Sequence, residues 1–122
     1  MAAPNILSAT SIYGKTTGAA LDTTTTTSLL ANASGSNKLL KINSIIVSNV
    51  DGSNAADATI SWYNGTTDYR LARTVAVPAD STLVVIGKDA PIYLEENHSI
   101  RGGASAASDL EIVISYEELD DA

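Results

Sequence analysis

Leu110-Glu111-Ile112-Val113-Ile114-Ser115-Tyr116-Glu117 is the stretch that decides the fold class. Leu110, Ile112, Ile114 and Tyr116 form one row of large apolar side chains, and Glu111, Val113, Ser115 and Glu117 form the other. Successive side chains of a strand point to opposite faces, so this period of two buries one row and wets the other. Moving outward, Ala58, Ile60 and Trp62 alternate in the same way with Thr59, Ser61 and Tyr63. Trp62 shares its row with Ile60 and is therefore expected in the core, with Tyr63 facing out. A further segment sets Tyr69, Leu71, Val75 and Val77 against Arg70, Ala72, Thr74 and Ala76.

Two other runs, Leu39 to Val50 and Leu83 to Ile86, are apolar on both parities. They read as central strands covered on both faces, or covered by another subunit. Turn signals separate the runs about every ten residues: Asp51-Gly52-Ser53-Asn54, Asn64-Gly65, Val77-Pro78-Ala79-Asp80, Asp89-Ala90-Pro91, Glu95-Glu96-Asn97 and Gly102-Gly103. The β-branched run Thr23 to Thr27 fits an exposed edge strand. Only Ala104 to Asp109 offers a helical turn. The expectation is an all-β protein, an antiparallel β-sandwich, jelly-roll-like or immunoglobulin-like, of about eight strands with an extended N-terminal segment.

A chain of 122 residues supplies one such domain, spanning 1–122. Within it residues 1–37 are hydroxyl-rich and thin in large apolar groups, forming either an arm or a pair of edge strands. Their widely spaced apolar anchors, Ile6, Leu7, Ile12 and Tyr13, are the candidate partner-binding residues.

Composition excludes several kinds of chemistry. There is no cysteine, hence no thiolate metal site and no disulfide framework. Seven basic against fourteen acidic residues give a net charge of −7, and the basic residues are scattered. No cluster tracks a phosphate backbone, so neither nucleic acid nor an anionic membrane surface is an expected partner. Glu117, Glu118, Asp120 and Asp121 read as a solvated acidic tail. No apolar run is long enough for a membrane span, and Met1 to Asn5 lacks the basic start of a signal peptide.

Three motifs invite a catalytic or ligand-binding reading. Ala9 to Thr16, ending Gly14-Lys15-Thr16, resembles a relaxed phosphate loop. Such a loop needs a buried strand before it and a helix after it; here the following residues run through Gly18 into five threonines. His98, the single histidine, sits among turn residues beside Glu96 without a poised nucleophile. Asp51, Ser53, Asn54 and Asp57 offer oxygens at short spacing, but without the order of a calcium-binding loop. No catalytic residue, cofactor or metal is assigned. Tyr63, Tyr69 and Tyr93 remain as stacking surfaces for an alternative, carbohydrate-binding reading.

The succession Lys41 to Val50, Val77 to Val85, Pro91-Ile92-Tyr93-Leu94-Glu95-Glu96-Asn97-His98 to Arg101, and Ala104 to Glu117 resembles small virion structural proteins of tailed bacteriophages. The likeness covers about residues 38–119 and lies in strand and turn patterns. It implies a non-enzymatic bacteriophage virion protein with a β-sandwich fold. Its natural role is capsid decoration: a cement protein bound to the major capsid protein and stabilising the shell. A head–tail connector or tail component is the neighbouring alternative. The doubly apolar strands add the expectation of a homo-oligomer, such as a trimer at a three-fold joint.

Overall fold

The computed structural model describes Leu7 and residues 9–120. The described residues form nine strands: β1 Ser11–Ala20, β2 Ser28–Ala31, β3 Lys38–Asn49, β4 Ala56–Tyr63, β5 Asp68–Val77, β6 Thr82–Ile86, β7 Ile92–Leu94, β8 Ser99–Ala104 and β9 Leu110–Asp120. Among the described residues there is no α-helix. The pairs are nested: β1 with β9, β2 with β8, β3 with β6 and β7, and β4 with β5, all antiparallel. Alternate pairs fall in different sheets, which are completed by β3–β9 and β4–β8. One sheet runs β1-β9-β3-β6, with β7 also on β3; the other runs β2-β8-β4-β5. A long hairpin folded over itself in this way is a jelly roll, which settles the choice against the immunoglobulin-like arrangement.

The core between the sheets is aliphatic. Ile42, Ile45, Val47, Ala58, Ile60, Leu94, Ile100, Leu110, Ile112 and Ile114 are essentially sealed from solvent. The row of Leu110, Ile112 and Ile114 faces the core as its alternation demands, and so do Ala58 and Ile60. Thr59 and Ser61, expected in water, are buried as well, Ser61 accepting Arg70 at 2.8 Å and Thr59 accepting the Thr74 N–H at 3.1 Å. Trp62 does not reach full burial. It lies half-buried at the margin of the core, stacked on Tyr69 with ring centroids 5.8 Å apart and edge-on to His98 at 5.2 Å.

The double apolarity of β3 has a local cause. Its register with β9 slips between Ile42 and Ser44, so the inward row passes from Leu40 and Ile42 to Ile45 and Val47. An extra residue changes parity there, whereas at the start of the strand adjacent Leu39 and Leu40 are both buried, Leu39 beside its cross-strand partner Leu119 on the opposite face. Leu83 to Ile86 forms β6, on the margin of its sheet, and Val84 is 60% exposed. β5 departs from simple alternation as well. Two register shifts against β4, with Thr74 at φ 47°, make Ala72 the buried residue in place of its neighbour Leu71.

Thr23 to Thr27 is a turn and not the expected strand. The Asp22 carboxylate accepts the Thr24 N–H at 2.9 Å and the Thr27 hydroxyl at 3.1 Å, a local competition that bends the backbone. The bent segment still serves β8: Gly102 N–H donates to Thr27 O at 3.0 Å and Ala104 N–H to Asp22 O at 2.7 Å. The acidic tail is likewise revised. Glu117, Glu118 and Asp120 belong to β9, between β1 and β3, with Glu118 accepting Lys15 at 3.2 Å and Lys38 at 3.4 Å. Asp121 lies outside the described residues. Ala104 to Asp109 carries the end of β8 and a turn with Ser108 at φ 66°, not a helical turn.

Two buried asparagines join the sheets at opposite ends of β3. Asn49 donates to Val77 O at 2.8 Å and Asn54 O at 2.9 Å, and its Oδ1 accepts the Asp51 N–H at 2.8 Å. Asn32 donates to Lys38 O at 2.8 Å and Leu94 O at 2.9 Å. Side-chain amides suit this task because one group supplies both donors and an acceptor.

Candidate interaction surfaces

The groups that invited chemical readings are committed to structure. Ala9 to Thr16 ends within β1, so its backbone forms a ladder with β9 where a phosphate loop would curl. Lys15 is paired with Glu118. His98 Nδ1 accepts the Glu95 N–H at 3.2 Å, while the imidazole edge meets Trp62. Asp51 caps its own turn, accepting the Ser53 N–H at 2.9 Å and the Asn54 amide at 3.3 Å. These bonds hold its carboxyl below the ordinary carboxylate value, led by the Ser53 N–H. Asp57 is tied elsewhere, its N–H to the Ser105 hydroxyl at 2.8 Å. Among the described residues no three acidic or imidazole side chains gather as a metal-ligand group, and no helix is long and apolar enough to cross a membrane.

The aromatic trio separates. The Arg101 guanidinium covers the Tyr63 ring at 4.0 Å, and the Tyr63 hydroxyl donates to Gly65 O at 3.1 Å. Tyr69 and Tyr93 instead flank Trp62. A cavity of about 310 Å³ opens there, lined by Trp62, Leu71, Ile92 and Tyr93. The sequence alternation marked Trp62 but gave no sign that β7 would bring Ile92 and Tyr93 to it. An apolar lining of this kind admits an aliphatic or aromatic side chain; a sugar needs convergent polar groups beside its stacking ring.

The N-terminal anchors fare differently from one another. Ile6 lies outside the described residues. Leu7 is 97% exposed, and Ile12 and Tyr13 are 58% and 52% exposed on β1. Residues 11–20 and 28–31 form strands at the margins of the two sheets. β1 pairs with β9 from Ser11↔Asp120 to Ala20↔Glu111 without a single slip. Apart from half-buried Ser11 and Thr17, all of its residues are exposed, so neither of its faces is covered. Next to it, Gly18, Val113, Ile46 and Val84 form a row across four strands of the outer sheet face. Chain alternation showed Val113 facing out; the alignment with Ile46 and Val84 comes only from strand register.

No family model and no curated protein matches the chain. Among solved structures, two crystal structures of a pentameric capsid protein isolated from metagenomic phage sequences resemble it, each at 15% identity with a TM-score of 0.39. The alignments cover 86% of this chain and 64% and 60% of those chains.

Proposed function

We propose that this protein is a non-enzymatic structural subunit of a bacteriophage virion, and that its specific role is capsid decoration, bound to the shell of the major capsid protein. One observation carries the reading: the molecule's open feature is a ten-residue strand, β1, whose two faces and outer edge contribute little to its own core. Its polar side chains, by contrast, are engaged in turns and sheet junctions. A protein built this way acts through the surfaces it offers, by strand addition or sheet contact. Many weak attachments on a repeating shell then add up to firm retention. The strand and turn resemblance of residues 38–119 to small phage virion proteins supports the same reading.

The test is localisation of labelled copies on purified particles. Label spread over the shell is the expected result. Label confined to the tail or neck replaces decoration with the head–tail alternative, and absence from particles overturns the virion reading. A glycan array with specific binding abolished by Tyr93→Ala would install the carbohydrate-binding alternative instead.

A further inference from the structure

We propose that β1 pairs antiparallel with β1 of a second copy of this chain, joining the two β1-β9-β3-β6 sheets across a two-fold axis, with Thr16 opposite Thr16. The inference rests on the same open strand as the virion reading but gives its outer edge to a second copy and leaves its two faces for the shell; sedimentation and cross-linking of the isolated protein test it without particles.

The four sheet margins are not alike. β5 carries two register shifts and a positive-φ residue, β2 has four residues and a shift, and β6 has five residues and a shift. Bulges and shortness are devices that blunt an edge against strand addition. β1 has neither. It is ten residues long, proline-free and unbulged, and its one charged residue is Lys15.

Hydrogen-bond phase restricts how such an edge can pair. Leu21, just past β1, donates its N–H to Leu110 O at 2.8 Å. Directly opposed residues that bond in this way alternate with residues that do not. Odd-numbered β1 residues therefore turn their backbone groups to β9, and Ile12, Gly14, Thr16, Gly18 and Ala20 turn theirs to the open edge. Two copies can bond only if these even-numbered residues oppose one another. Centring the two-fold axis on Lys15 sets like charges face to face, which is unfavourable. Centring it on Thr17 or beyond shortens the ladder. Centring it on Thr16 pairs Gly14 with Gly18, Ile12 with Ala20, Tyr13 with Ala19 and Lys15 with Thr17. Each large side chain then meets a small one, and about ten backbone hydrogen bonds form, two for each bonded pair. Neither glycine is required by the chain's own fold: both lack a positive φ, and a Cβ at Gly14 would meet nothing.

The absence of native cysteine makes the register directly testable. Residues opposite each other in a bonded antiparallel pair have Cα atoms ~5.5 Å apart, within disulfide reach. Full-length Thr16→Cys is expected to form a covalent dimer under mild oxidation, and Lys15→Cys is not. Gly14→Cys and Gly18→Cys, inert when oxidised singly, are expected to cross-link when mixed. In sedimentation equilibrium the wild type is expected at twice 12.6 kDa. Thr16→Pro, which removes only an edge-facing donor, is expected at the monomer mass with an unchanged β-type circular dichroism spectrum. A monomeric wild type, a trimer or pentamer without Thr16→Cys cross-linking, or a folded Thr16→Pro that remains dimeric would each overturn the proposal.

Discussion

Replacing Asn49 by alanine tests the claim that a buried amide holds the two sheets together at the end of β3. Asn49 is 4% exposed and makes three hydrogen bonds, two donated to Val77 O and Asn54 O and one accepted from the Asp51 N–H. Water can reach the partners at Asn54 and Asp51, which lie in the loop, so those two bonds are partly replaceable. Val77 is buried in the core, and its carbonyl loses a partner where water has little access. At about 1 kcal/mol for each bond, with a further 1–3 kcal/mol for a stranded buried acceptor, the expected loss is about 3 kcal/mol. With a urea slope of about 2 kcal/mol/M, the midpoint falls by about 1.5 M. Trp62, the single tryptophan, provides the fluorescence signal. Asn49→Asp is expected to lose at least as much at neutral pH, because its carboxylate would face two carbonyl oxygens. Ser48→Ala, which removes a 3.3 Å hydroxyl contact with Thr82, is the control and should stay within about 0.5 kcal/mol. A midpoint shift for Asn49→Ala no larger than that control would refute the idea of an amide junction.

Gly103→Ala is expected to cost about 2–3 kcal/mol, because the added Cβ would lie 2.7 Å from Thr24 O and 2.8 Å from Asp22 O, both backbone atoms. Faster amide exchange at Ala104, whose N–H bonds Asp22 O, would accompany the loss. Trp62→Phe should cost no more than about 1 kcal/mol, since the indole N–H has no hydrogen-bond partner to forfeit. Trp62→Ala should cost about 2–3 kcal/mol, near or below the range for a fully enclosed ring; thermal unfolding measures both. The depressed Asp51 pKa means that its turn is stabilised above the unfolded value of 3.8 and loses that contribution as pH falls through the lower folded value. The Ser53 amide resonance should report this transition, and Asp51→Asn should abolish it.

How far the chain could be read depended on whether a feature was local. Alternation around Ile60 and Ile112 exposed two core strands because side-chain direction in a strand follows residue parity alone. Turns at Asp51-Gly52 and Asn64-Gly65 were equally visible, since their chemistry acts within a few residues. Even so, Asn64-Gly65 closes a longer loop than a two-residue hairpin: β5 starts at Asp68, and the Asn64 carbonyl oxygen of the side chain accepts from Thr66 and Thr67. The threonine run misled because β propensity measures fit to a pleated surface. Asp22 offered those residues closer hydrogen bonds as a turn.

By itself, the sequence determined that the molecule is all-β and that the rows through Ile60 and Ile112 supply its core. Tertiary structure alone decided the nesting of strand pairs, the bulge that shifts the buried row of β3 from Ile42 to Ile45 and the partial burial of Trp62. It also turned an apparent acidic tail into a strand between Lys15 and Lys38, and gathered Trp62, Leu71, Ile92 and Tyr93 around one cavity. The reason is physical: strand pairing joins residues far apart in the chain, and shifting its register by one residue exchanges the faces of a whole strand.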